Sequence, residues 1–88
     1  MHVVYVIQHT TNKDIYIGVT SDLTKRLQQH NNNENISTRR LNGKWILIYA
    51  EAYRSKIDAY SRESKLKHHG SGKHELYKRL NNSFVQKF

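Results

Sequence analysis

Two short runs of β-branched and aromatic residues open this chain, and a polar segment of only five residues separates them. The first run covers His2 to His9, the second covers Ile15 to Val19, and Thr10 to Asp14 lies between them. Val, Ile and Tyr favour extended backbone, and a short polar connection is typical of antiparallel neighbours. The chain therefore predicts two adjacent strands. The first is apolar along most of its length, which indicates a central strand.

Helix signals and one further strand follow. Ser21 reads as a capping hydroxyl with Asp22 in the first turn, and Ser55 and Asp58 form a second Ser-x-x-Asp cap. Gly70-Ser71-Gly72 is expected to break a helix. The remaining predicted elements are a helix from Ser21 that ends in the asparagines 31–33, a polar loop over 31–43, a strand from Lys44 to Tyr53, a helix from Ser55 to about His69, a short helix from Lys73 to about Leu80, and a loosely held tail over 81–88.

This order of elements predicts an α+β fold. A central three-stranded, mostly antiparallel sheet is flanked by helices, in the order β-β-α-β-α with a short additional helix. A chain of 88 residues has material for one modest core. We therefore expect one domain over 1–88, with its core in about 2–70 and the short helix and tail in 71–88.

The lack of cysteine excludes disulfides and thiolate metal sites. It fits a reducing compartment, and the cytoplasm is the expected location. The apolar run near the start is too short for a signal peptide or a membrane span, so no membrane partner is expected. The oligomeric state is left open.

The charge is strongly basic, with a formal net charge of +8. Residues 54–88 carry nine Lys and Arg against three acids, whereas residues 1–53 carry six against four. A polyanion is the natural partner of such a surface, because neutralising phosphates releases condensed counterions. The alternative is a solvated basic face that only aids solubility.

Five side chains suggest chemistry on a phosphodiester, although each also has an ordinary structural explanation. Two are strand tyrosines, which are usually core residues; two lie four apart on one predicted helix; and one is a lone acid in a basic helix, where it could simply pair with a lysine. They are Tyr5, Tyr16, Arg26, His30 and Glu63. Ala59, Glu63 and Leu66 share one helix face, so Glu63 is expected to border the buried side.

Taken together, these residues resemble the GIY-YIG nuclease superfamily. The resemblance rests on Val3-Val4-Tyr5, on Tyr16-Ile17-Gly18, on the arginine eight residues later and on the Ala-x-x-x-Glu-x-x-x-Lys arrangement that begins at Ala59. It covers most of residues 2–70 and looks closest to small stand-alone members akin to the N-terminal nuclease domain of excinuclease. Valine stands where the first motif usually has its glycine.

The resemblance implies an endonuclease that hydrolyses DNA, with a role in repair or recombination and one Mg²⁺ or Mn²⁺ ion. It implies that Tyr5, Tyr16, Arg26, His30 and Glu63 are catalytic and that Glu63 also binds the metal. The residues expected to contact nucleic acid are Gly18, Arg39, Arg40, Lys65, Lys67 and Lys73. The alternatives are a non-catalytic nucleic-acid-binding module on the same fold and an interaction protein whose basic tail docks on an acidic partner.

Overall fold

The computed structural model describes residues 1–85, and the predicted α+β architecture is confirmed over them. Three strands form one antiparallel sheet in the order β2-β1-β3. The elements along the chain are β1 (His2–His9), β2 (Ile15–Thr20), α1 (Leu23–Asn31), a 3₁₀ helix (Ile36–Thr38), β3 (Trp45–Tyr53), α2 (Lys56–His68) and α3 (Gly70–Arg79). The first strand is central, as its continuous apolar character predicts.

The two faces of β1 are buried in two separate clusters, which explains why this strand does not alternate with polar residues. Val4 and Val6 pack beneath α2 and α3 together with Leu66 and Leu76. On the opposite face, Tyr5, Ile7 and Trp45 form the second cluster, against which two leucines of α1 (Leu23 and Leu27) pack. Successive strand residues point to opposite faces, so β1 needs apolar side chains at every position.

Two helix boundaries differ from those expected. Asp22, not Ser21, caps α1, and its carboxylate accepts a hydrogen bond from the Lys25 amide at 3.1 Å. Ser55 caps α2 as predicted. The expected break at 70–72 is wrong, because α3 begins at Gly70 and His69 alone separates it from α2. Glycine weakens a helix by only about 1 kcal/mol, and the buried Leu76 and Leu80 stabilise α3 by packing on the core.

Two further segments are more ordered than predicted. The polar loop over 31–43 contains the 3₁₀ helix. After α3, the Phe84 ring packs edge-on against Tyr77 at 5.2 Å, and the Val85 amide donates to the Gln8 side chain at 2.6 Å. The chain is therefore tied to the sheet as far as Val85, and the last part of the predicted tail, 86–88, lies outside the described residues.

Candidate active site

Tyr5 is at the centre of the candidate site. It lies in the middle of β1 on the face covered by α1, and its side chain is fully buried. Its hydroxyl lies 2.7 Å from Nε2 of His30, which is equally buried in the last turn of α1. The central strand and the first helix therefore bring together a phenol and an imidazole that are 25 residues apart in the sequence.

Gly18 makes room for this tyrosine. The two residues are direct partners in the β1–β2 register. A Cβ atom on Gly18 would lie 2.5 Å from the Tyr5 hydroxyl oxygen and 2.6 Å from its Cζ atom. Real atoms do not approach so closely, so any larger residue at Gly18 would displace the phenol. Because Gly18 is itself buried against the Tyr5 ring, its predicted contact with nucleic acid stays a prediction.

Tyr16 lies two residues before Gly18 and therefore on the same face of β2. Its ring centroid is 6.3 Å from that of Tyr5 and 5.0 Å from that of His30. On its other side, the ammonium of Lys67 lies 5.7 Å from the ring centroid. Tyr16 is only half-buried, so it forms the exposed wall of the site.

Arg26 lies one helical turn before His30, on the same face of α1. Its positive charge acts on both members of the Tyr5–His30 pair, as their pKa shifts show. The arginine is half-buried and borders an open polar pocket of about 340 Å³ at the start of α1. The other residues that line this pocket are Thr20, Ser21, Asp22, Lys25 and Gln29.

The pKa shifts of the central pair have clear physical causes. Burial, followed by the neighbouring Tyr16, raises the pKa of Tyr5, while the charge and hydrogen bonding of Arg26 act in the opposite direction. Burial and Arg26 both lower the pKa of His30. Charged forms are disfavoured in a desolvated site, and a nearby cation disfavours a second one. At neutral pH the resting pair is therefore an uncharged phenol and an uncharged imidazole.

Glu63 reaches the same cluster from α2. Its charge contributes to the raised pKa of Tyr5, and its side chain is 18% exposed. One carboxylate oxygen lies 3.2 Å from Nζ of Lys67, so the ion pair that offers a structural explanation for Glu63 is present. Ala59 and Leu66 are fully buried on the same helix, as expected from the spacing, which leaves Glu63 at the edge of the buried face. The structure thus brings all five predicted catalytic side chains together.

The chemistry of Glu63 suits a hard divalent cation. Magnesium characteristically takes one or two carboxylates and completes its shell with waters and substrate phosphates. Within residues 1–85, no three or more His, Cys, Asp or Glu side chains cluster as a metal site. A single carboxylate beside the phosphate-binding residues therefore fits the one ion expected from the sequence, with Glu63 as the residue that would hold it.

The predicted nucleic-acid residues fall into two groups. Lys67 and Lys73 line an open pocket of about 250 Å³ along β2, together with Tyr16 and Tyr77. Arg39 and Arg40 border a different pocket with Asn33 and Leu41. Lys65 is exposed on α2 and lines neither pocket.

Arg40 is more occupied than the sequence suggests. Its guanidinium makes a 2.9 Å ion pair with Asp14 and lies 5.3 Å from the ring centroid of Trp45. Arg39, in contrast, is exposed to solvent. Arg39 is thus the freer of the two cations for a contact with a phosphate.

Thr38 is the functional residue that sequence reasoning missed. Its place beside Arg39 and Arg40 suggested a loop position exposed to a nucleic acid, yet its side chain is fully buried. The Thr38 hydroxyl lies 2.7 Å from Nδ1 of His30, on the side of the imidazole away from Tyr5. No local signal in the sequence links Thr38 to His30, because the contact depends on how the 3₁₀ helix folds back over α1.

Comparison with known proteins decides the family. The family model described as the GIY-YIG catalytic domain matches residues 1–78. This chain belongs to the GIY-YIG family. The family is one of nucleases that act on nucleic acids and generally use a divalent metal.

Two relatives support this assignment. The UPF0213 protein CPE1444 of Clostridium perfringens (strain 13 / Type A) is 34% identical over 67 residues, which cover 76% of this GIY-YIG chain and 71% of the relative. The solution NMR structure of the UPF0213 protein BH0048 from Bacillus halodurans matches with a TM-score of 0.54 and 28% identity, covering 90% and 83% of the two chains. Over residues 1–85, no helix has the length and apolar character of a membrane span.

Proposed function

We propose that this GIY-YIG protein is a divalent-metal-dependent endonuclease that hydrolyses phosphodiester bonds in DNA. The observation that carries the proposal is the 2.7 Å contact between the Tyr5 hydroxyl and His30 Nε2, with Arg26 and Glu63 beside it. A phenol that hands its proton to an imidazole can take a proton from water without first becoming a free phenolate. The raised pKa of Tyr5 makes such a relay necessary, because the phenolate is scarce at neutral pH.

The proposed reaction assigns one role to each side chain. Tyr5 accepts a proton from the attacking water as its own hydroxyl proton passes to His30 Nε2, and the resulting hydroxide forms the new P–O bond. The bond to the leaving oxygen breaks, and that oxygen departs as an alkoxide that takes up a proton. Arg26 binds the non-bridging oxygens with its planar fork. A cation held by Glu63 would balance negative charge on the phosphate and the leaving oxygen.

Access to the buried Tyr5 is supported by its neighbours. Tyr16 and Arg26 are both half-buried and lie on either side of the Tyr5–His30 pair. A phosphate held by Arg26 at this opening would place its water next to the Tyr5 hydroxyl. General-base assistance of this kind contributes about 10²–10⁴-fold to a rate.

The test is cleavage of fluorescently labelled nicked, branched and plain duplex DNA by the full chain with Mn²⁺. We expect Glu63→Gln and Arg26→Lys each to lower the cleavage rate at least about 10²-fold, since each removes a charge contact to the reacting phosphate. Their melting temperatures should stay close to that of the wild type, because both side chains are partly exposed. Glu75→Gln is the matched control, since Glu75 also pairs with a helical lysine, Lys78.

Rates of Glu63→Gln and Arg26→Lys that equal the wild type would refute this assignment of the site. Salt-dependent DNA binding without cleavage under any divalent ion would instead identify a non-catalytic nucleic-acid-binding module. Failure to bind DNA even at low salt would favour an acidic protein partner.

A further inference from the structure

We propose that Thr38 is a positioning residue that fixes the tautomer of His30, so that Nε2 presents its lone pair to Tyr5. This inference rests on the proposed nuclease reaction, because it names the residue that prepares the proton acceptor of that reaction. Thr38 touches neither substrate nor metal in this scheme and acts only through the imidazole.

The contacts form one chain through the interior. The Tyr5 hydroxyl lies 2.7 Å from Nε2 of His30, Nδ1 of the same ring lies 2.7 Å from the Thr38 hydroxyl, and that hydroxyl donates to the Asn35 carbonyl at 3.4 Å. Tyr5, His30 and Thr38 are each at most 1% exposed. Solvent therefore offers no alternative partner to any of these groups, and each must be satisfied by its neighbour.

The two ends of the chain of contacts set the direction of every bond in it. At one end, the Arg26 guanidinium acts on the Tyr5 oxygen and can only donate hydrogen bonds. At the other end, the Asn35 carbonyl can only accept. The phenol, the neutral imidazole and the threonine hydroxyl each carry one hydrogen. All of them must therefore point from Arg26 towards Asn35, which puts the imidazole hydrogen on Nδ1 and leaves Nε2 free to accept.

The backbone around Thr38 is anchored from β3. The indole Nε1 of Trp45 donates to the Thr38 carbonyl at 2.8 Å, and the Trp45 amide donates to the Asn31 side chain at 2.7 Å. Trp45 is itself almost fully buried. These bonds hold the 3₁₀ helix over the end of α1, so the Thr38 hydroxyl is fixed relative to the ring that it orients.

Removing this hydroxyl would change the chemistry of the ring. In Thr38→Val, which keeps the shape of the side chain, a hydrogen on Nδ1 would be buried without an acceptor. The imidazole hydrogen would move to Nε2, where it would face the hydroxyl hydrogen of Tyr5 and abolish the acceptor. A buried histidine in the wrong tautomer cannot take up the proton.

The decisive measurement is the ring ¹⁵N NMR spectrum of His30 in the full wild-type chain, without DNA. We expect a protonated Nδ1 and an unprotonated Nε2; the reverse pattern would overturn the proposal, and this comparison requires no variant. Thr38→Ser should keep the wild-type pattern, whereas Thr38→Val should lose it. Thr24→Val, at an exposed threonine of α1, is the matched control and should leave the His30 signals unchanged.

The kinetic measurement separates this role from a merely structural one. We expect Thr38→Val to lower kcat about 10²-fold with little change in KM, and Thr38→Ser to restore most of the rate. An unchanged kcat in Thr38→Val would also overturn the proposal. A wild-type chain with the expected tautomer that cleaves no DNA would instead refute the nuclease reaction, and the role of Thr38 in it, while leaving the tautomer assignment intact.

Discussion

Gly18 shows at the scale of one residue how the sequence shapes the site by leaving an atom out. The final glycine of the Tyr16-Ile17-Gly18 motif lies opposite Tyr5, and the phenol fills the space where a side chain would be. Its backbone adopts ordinary strand geometry, so the demand for glycine comes from the close approach of the ring. The motif thus links β2 to the position of the reactive hydroxyl on β1.

Gly18→Ala should therefore displace Tyr5 from His30. The added methyl would meet a ring that is almost completely buried and cannot swing into solvent, so we expect a loss of about 1–3 kcal/mol in the free energy of unfolding. Urea denaturation measures this loss directly. Gly70→Ala is the control, because a Cβ atom there meets no other atom within 4 Å. Equal stabilities of the two variants would show that the ring moves aside without cost.

The candidate site was predictable from the sequence only as far as its motif residues reach. Tyr5, Tyr16, Arg26, His30 and Glu63 are recognisable by type and spacing, and the structure brings them together. Thr38 was not, because its contact with Nδ1 of His30 is made by tertiary folding of a loop without hydrophobic periodicity.

At the scale of elements, the strands were predictable because each follows from its own side chains. The apolar run of β1 marks a strand covered on both faces, and the alternating second half of β3 marks an edge. The start of α3 was not predictable in the same way. Gly70 and Gly72 have poor helix propensity, and the burial of Leu76 and Leu80 against the other helix and the sheet outweighs it.

Glu51 joins β3 to α2 in a second polar cluster on the face away from Tyr5. Its carboxylate accepts hydrogen bonds from Tyr49 at 2.5 Å and Tyr53 at 2.7 Å within the strand, and from Arg62 of α2 at 2.6 Å. Burial alone would raise the pKa of Glu51, but these three donors outweigh it and lower the pKa. Burial and the same contacts raise the pKa of Tyr53 to about 12, so that hydroxyl stays a donor at neutral pH.

Replacing Glu51 by glutamine should therefore destabilise the protein in a pH-dependent manner. At pH 7 we expect a loss of about 1–3 kcal/mol, because Arg62 and two phenols lose a charged acceptor. A folded-state pKa below the unfolded value of about 4.3 means that this contribution is complete above that value and is lost as the pH falls through the folded pKa. Urea denaturation at pH 7 and near pH 3 should show the gap between wild type and variant closing.

Glu34→Gln is the control for this comparison. Glu34 is exposed, and its side chain accepts a hydrogen bond from the Asn32 side chain at 3.3 Å. Its stability should follow that of the wild type at both pH values. A gap for Glu51→Gln that is equally wide near pH 3 would mean that the loss comes from shape, not from charge.

At the scale of the whole molecule, the excess of positive charge is organised by the fold. The chain carries a net charge of +8, and two of its lysines, Lys67 and Lys73, line one pocket with Tyr16. Tyr16 also belongs to the catalytic cluster, so this pocket continues directly from the site where the phosphate would react. A bound strand that runs along β2 would thus place a neighbouring phosphate between the two lysines.

This path predicts which lysine contributes to the salt dependence of DNA binding. In EDTA, where no cleavage occurs, the logarithm of affinity should fall linearly with the logarithm of salt concentration. Lys73→Gln should weaken binding and reduce that slope by about 1, as expected for one lost phosphate contact. Lys78→Gln is the matched control on the same helix, since Lys78 is exposed and faces Glu75 at 3.7 Å. Fluorescence anisotropy with a duplex of fixed length measures both slopes. Equal changes in the two variants would mean that DNA responds to net charge alone and that the β2 pocket is not its path.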